Sequence, residues 1–417
     1  MKILLKAATI LDPQSSFHNK TVDVQIEAGK IKAIGANLKP DKYQIIESEH
    51  LHISPGWFDP SVCFGQPGYE EREIIAHGLD VAAASGFTAV GLQPNTNPVL
   101  DTHADIAFVK QQAAQKLTAL YPFGALTRNS ASEDLAELYD MQQAGAIAFG
   151  DYKKPIANAN LLKVALQYVQ GFDGLVCSFP LNDQIRGKGL VNESPATIAL
   201  GLKGIPNIAE SLQVNRDLHI LQYVGGRLHI PTISTAESVA LIRQAKKDGL
   251  KVSCSVAIDN LFFTDEVLGE FDSHFKILPP LRTKKDQKAL IDGLEDGTID
   301  MVTSDHNPLD IELKKKEFDY AEYGSIGLET AFGALCQKVS LKTAIRALTT
   351  GRSHFQLPDI GIEEGCAANL TFFDPKITIP FTEDQVLSTS KNSPYVGQKL
   401  EGKVIGCIQD NKVQIND

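Results

Sequence analysis

The residues best placed for chemistry lie in Ser54-Pro55-Gly56-Trp57-Phe58-Asp59-Pro60-Ser61-Val62-Cys63-Phe64-Gly65-Gln66-Pro67-Gly68, which reads as a buried strand running into a glycine- and proline-rich loop. Side chains alternate across a strand, so Ser61 and Cys63 share a side, both pointing where a metal centre could sit. The ten histidines are mostly scattered through helices, loops and the terminal strands. His50-x-His52 precedes this strand, and His229, two residues before Pro231, reads as a hydrogen-bonded core histidine. The six cysteines, Cys63, Cys177, Cys254, Cys336, Cys366 and Cys407, form no C-x-x-C pair. Most read as small core residues, and a reducing cytoplasm fits that spacing.

Such residues need a frame to hold them. Between about residues 54 and 364, short apolar runs alternate with helical patterns, which predicts βα units around a parallel sheet. Candidate strands fall at 58–62, 88–93, 119–125, 146–150, 175–178, 227–233, 251–256 and 300–304, enough for a TIM-type (β/α)8 barrel of class α/β. In such a barrel, chemistry sits at the C-terminal strand ends. Residues 1–53 alternate apolar and polar positions with period two, as in Val22-Asp23-Val24-Gln25-Ile26, with Ala28-Gly29 as a turn. Residues 365–417 read the same way, so both ends are expected to build one small β-sandwich domain beside the barrel domain of 54–364. Ser234 and Glu237 have the spacing of a capping box, with Gly249 as the stop, and Gly225-Gly226 ends a helical run from about 207 to 224.

Hydrophobic residues make up 43% and charged residues 22% of 417, a globular mixture with room for a full core. A net charge of −11 argues against nucleic acid or a membrane surface as partner, since both call for a basic face. Lys314-Lys315-Lys316 lies between acids and reads as a solvated loop face. No run of 18 apolar residues and no secretory signal is evident, and a homo-oligomer in the cytoplasm is expected.

The pattern Pro55-Gly56-x-x-Asp59-x-Ser61-x-Cys63-x-Gly65-x-Pro67-Gly68 resembles the dihydroorotase signature P-G-x-x-D-x-H-x-H-x-R-x-P-G of the cyclic amidohydrolases. Further similar motifs follow in order: Pro94-Asn95-Thr96-Asn97-Pro98, Asp151 with Lys154-Pro155-Ile156, Asn192-Glu193, Ser234-Thr235-Ala236, Pro279-Pro280-Leu281-Arg282, Ser304-Asp305-His306, Gly327-Leu328-Glu329-Thr330 and Asn392-Ser393-Pro394. The resemblance covers nearly the whole chain. It implies a barrel whose members hold zinc through four histidines and two aspartates.

At the positions this resemblance assigns to the histidines stand Ser61, Cys63, Phe179 and Thr232. Asp151 and Asp305 match the two aspartates, and Asp305 matches the position that shuttles a proton in active relatives. The family's substrate arginine falls at Gly65, its asparagine before Pro-Pro at Leu278 and a further histidine at Leu309, while Asn95 persists. Catalytic zinc takes about three protein ligands and an open position for water. No metal is therefore expected, and a rebuilt centre would have to use Cys63, Asp151 and Asp305. Two functions follow from the resemblance. One is a catalytically inactive dihydroorotase-like protein of pyrimidine biosynthesis, acting as a structural or regulatory partner of aspartate carbamoyltransferase. The other is an active hydrolase interconverting dihydroorotate and N-carbamoyl-aspartate on a rebuilt metal site.

Overall fold

The computed structural model describes residues 1–416. The chain enters through β1 (Lys2–Ile10), β2 (Thr21–Glu27), β3 (Lys30–Gly35), β4 (Gln44–Ile46) and β5 (His52–Pro55). It continues through β6 (Trp57–Val62), β7 (Phe87–Leu92), β8 (Ala119–Gly124), β9 (Ala148–Phe149), β10 (Val176–Cys177), β11 (Val191–Asn192), β12 (Gly204–Ile205), β13 (Leu228–Ile230), β14 (Val252–Ala257) and β15 (Met301–Thr303). It returns as β16 (Asn369–Pro380), β17 (Lys399–Gln409) and β18 (Lys412–Ile415). This is an α/β protein built on two large sheets.

The first sheet takes strands from both chain ends in the order β18-β17-β16-β5-β1-β2-β3, with β4 against β1. β16 runs antiparallel to β5, pairing Leu370 with Pro55 and Phe373 with His52, whereas β4 and β5 lie parallel to β1, so the sheet is mixed. Its alternating pattern buries Ile3, Leu5, Ile26, Ile53, Leu370 and Phe372 in one apolar cluster.

The second sheet is parallel, in the order β6-β7-β8-β9-β10-β13-β14-β15. The strands β6, β7 and β14 are buried at every position, and β14 accordingly reads as an unbroken apolar or small-residue run. The two outer strands meet: Val62 bridges His306, and the Cys63 N–H donates to the His306 carbonyl at 2.7 Å. Asp59, buried in β6, accepts from the Thr303 hydroxyl and, at 2.9 Å, from the Ser304 N–H. β9 and β10 hold only two residues each, shorter than the runs at 146–150 and 175–178 suggest.

Two local expectations are corrected. The helix Ala236–Lys247 is capped by Thr235, which accepts from the Ser238 N–H at 3.2 Å. Ser234 instead donates to Glu210, because burial of that carboxylate recruits both hydroxyls and both backbone N–H groups of Ser234 and Thr235. Lys314 is not solvated: it is 2% exposed and donates to the carbonyls of Ser273, Lys276 and Glu322. Lys276 similarly donates to the carbonyls of Phe318 and Asp319, so two lysines pin the segment 307–324 against the body.

Candidate site at the parallel strand ends

Residues in or just beyond the ends of β6, β7, β9, β10, β13 and β15 converge on one cavity of about 30 Å³. Ser61, Gln93, Asp151, Tyr152, Lys153, Phe179, His229, Thr232, Ser255 and Asp305 are among its walls. That volume holds a water or two, whereas small-molecule sites run to roughly 300 Å³ and more.

Asp305 follows β15 in a left-handed conformation, φ 49°. Its Oδ2 lies 2.8 Å from Lys153 Nζ, and its Oδ1 accepts from the Tyr152 hydroxyl at 3.2 Å. Burial pushes its carboxyl above the ordinary range, against the pull of the Lys153 charge. Burial also drives the Tyr152 phenol far above its usual value, with the Asp305 charge adding to the shift.

Asp151 is satisfied by its own surroundings. It accepts from the backbone N–H groups of Leu126 and Thr127 at 3.0 and 3.1 Å and from the Thr127 hydroxyl, which ties the end of β9 to the loop after β8. Burial still raises its pKa. Cys63 is buried and its thiol is pushed to about 12 by desolvation, which keeps it neutral. Among the described residues, no group of three or more His, Cys, Asp or Glu side chains could hold a metal ion, so Cys63, Asp151 and Asp305 are not gathered as a ligand set.

The remaining predicted positions are filled or closed. Phe179 and Leu278 pack together with Leu181, Ile205 and Ala209. Thr232 keeps φ 47°, an outlier for a β-branched residue, with its N–H donating to Ser255 Oγ at 3.1 Å. Left-handed backbone costs of order 1 kcal/mol at such a residue, so strain survives where the resemblance assigns a ligand. Gly65 sits where a Cβ would approach the Tyr69 carbonyl oxygen to 1.8 Å, so the loop leaves no room for any side chain there. Leu309 is buried and donates its N–H to Asn392 Oδ1 at 3.2 Å. Asn95 is half-buried with its Oδ1 unpartnered, its side chain beside Cys63.

Several matched motifs meet elsewhere, in a buried structural network. Arg282 donates to Ser234 Oγ at 3.0 Å, to Asn192 Oδ1 at 2.9 Å and to the Ile205 carbonyl at 2.8 Å. His229 lies between Ser253 and Ser255, its ring nitrogens 2.9 and 3.3 Å from their hydroxyls, in accord with a core role. Tyr152 and Lys153 were not singled out by sequence, although their place directly after Asp151 was the available signal.

The family model described as dihydro-orotase-like matches residues 51–238. Dihydroorotase of Pelotomaculum thermopropionicum is 36% identical over 100% of this chain and 99% of its own length, and that of Geotalea daltonii 35% over 99% of each. Among solved structures, the L-hydantoinase of Arthrobacter aurescens superposes with TM-score 0.84 at 22% identity, covering 100% of this chain and 97% of that one. A D-hydantoinase from Thermus sp. gives 0.81 at 19%, over 100% and 95%. With relatives this similar along its full length and a cyclic amidohydrolase fold, the chain belongs to the dihydroorotase-like family.

Proposed function

We propose that this chain is a dihydroorotase-like protein of pyrimidine biosynthesis that has lost hydrolysis and serves as a structural or regulatory partner, with aspartate carbamoyltransferase as the partner the family resemblance suggests. The carrying observation is the strand-end cavity of about 30 Å³, too small for a cyclic amide and its attacking water. Zinc does not fit the residues present. Asp305 is engaged by Lys153 and Tyr152 and Asp151 by three donors around Thr127, and among the described residues Cys63 does not gather with them into a ligand set. No step through a metal is derived for this site.

In the same reading, the parallel sheet is a (β/α)8 barrel over 54–364, closed by the Val62 to His306 bridge, and the mixed sheet is the core of a β-sandwich from 1–53 and 365–417. The protein is cytoplasmic and self-associating. Among the described residues, no helix is long and apolar enough to cross a membrane.

The test is metal analysis of protein purified without chelator, together with dihydroorotate hydrolysis in added zinc and co-purification with aspartate carbamoyltransferase. Metal-free, inactive protein that co-purifies with the transferase is expected. Stoichiometric zinc with turnover would establish the rebuilt hydrolase instead.

A further inference from the structure

We infer that the ammonium of Lys153 is the resident cation of the strand-end site, taking the place of a metal ion so that the chain itself neutralises Asp305. The inference deepens the proposed function and rests on its premise that no metal is held.

Position comes first. Lys153 follows Asp151 and Tyr152 with φ 54°, and the turn is closed by the Lys154 N–H donating to the Asp151 carbonyl at 3.0 Å. This turn aims the side chain into the cavity rather than out to solvent: the Lys153 side chain is 11% exposed and that of Asp305 7%. Lysine is rarely buried this far without a partner, since the charged group must leave water and the long stem must give up rotamer freedom. Here the partner is specific.

Geometry then disfavours a second cation. Both Asp305 oxygens are occupied, one by the ammonium at 2.8 Å and one by the Tyr152 hydroxyl at 3.2 Å. The ammonium also stands 5.1 Å from the centre of the Tyr152 ring, whose face favours a positive charge. A metal binding Asp305 would have to displace Lys153 or share the carboxylate with it, and two cations at such range repel strongly in a poorly solvated site. Among the described residues the site offers no cluster of donors to offset that repulsion. Asp151 needs no cation, because three hydrogen bonds already satisfy it.

The experiment compares thermal melting of the full chain with that of Lys153→Met, Asp305→Asn and the double variant, with and without added zinc. Removing one partner strands the other, so each single variant should melt roughly 5 °C or more below the parent. The double variant should lose clearly less than the two shifts combined, and zinc should leave the parent's melting unchanged. Additive shifts in a metal-free parent overturn the inference and leave the proposed function standing. Stoichiometric zinc and turnover in the parent overturn both. Amine acylation of the unmodified protein, read by peptide mass spectrometry, decides the matter even where the variants do not fold. Lys153 should label far more slowly than the exposed Lys284 and Lys288, and equal labelling overturns the inference.

Discussion

The carboxylate of Asp59 on β6 accepts the hydroxyl hydrogen of Thr303 on β15, joining the first and last strands of the parallel sheet from inside. The same carboxylate takes the N–H groups of Ser61 and Ser304 at 3.0 and 2.9 Å. Three donors on one buried group fix the register in which Val62 meets His306, and so the position of every residue after the two strands.

Thr303→Val keeps the volume and deletes a donor to this carboxylate. It should destabilise the chain by about 2 kcal/mol, the range for a hydrogen bond to a buried charged group. Asp59→Asn should cost at least as much, because its amide NH2 must face an N–H donor. Thermal melts of the two variants check this. Parent-like melting of Thr303→Val would show that the strand junction does not depend on the side chain.

Gly65 carries a second prediction. Because its Cβ position is 1.8 Å from the Tyr69 carbonyl oxygen, Gly65→Ala should destabilise by more than about 2 kcal/mol, through displacement of backbone rather than of a flexible side chain. Gly65→Arg should fare no better. Denaturant midpoints give the first result, and a soluble Gly65→Arg protein with parent stability would refute the closed-loop account.

Much of this was legible in the sequence, for physical reasons that differ by residue. The parallel strands announce themselves because burial on both faces forces unbroken apolar or small-residue runs, as in β14. Ser61, Phe179 and Thr232 were placed by the family resemblance, and they line the cavity. The Lys153 to Asp305 pair was not legible, since the two residues approach only after the sheet brings the ends of β9 and β15 together. Lys314 was misread for a related reason: a charge run looks solvated until three distant carbonyls gather around one of its members. Ser234 was taken for a helix cap because its claimant, Glu210, lies 24 positions away.

His229 predicts a pH dependence. Burial, opposed by the Asp300 charge, lowers its pKa from the ordinary 6.5 to about 3. The folded protein therefore keeps the ring neutral while the unfolded chain takes up a proton below pH 6.5. Stability from this group is present above pH 6.5 and is lost as pH falls toward 3, at about 1.4 kcal/mol per pH unit. His229→Gln can still hydrogen-bond Ser253 and Ser255 but does not titrate. Between pH 6.5 and pH 5 it should lose about 2 kcal/mol less stability than the parent. Parallel stability curves for the two proteins would contradict this assignment.

Lys314 fastens the segment 307–324 to the body of the protein. Its ammonium holds the carbonyls of Ser273, Lys276 and Glu322 at 2.6, 3.0 and 3.0 Å, while burial pulls its pKa down to about 7. Lys314→Met keeps the stem and removes all three donors, leaving buried carbonyls without partners at a cost of about 2–3 kcal/mol. Because Ser273 and Lys276 lie outside the 307–324 segment and Glu322 within it, these bonds fasten that segment and the loss should be local. Trypsin should cut after Lys315 or Lys316 much faster than in the parent, with the mixed sheet still intact by circular dichroism. Unchanged cleavage would mean that Lys276, through Phe318 and Asp319, holds the segment alone.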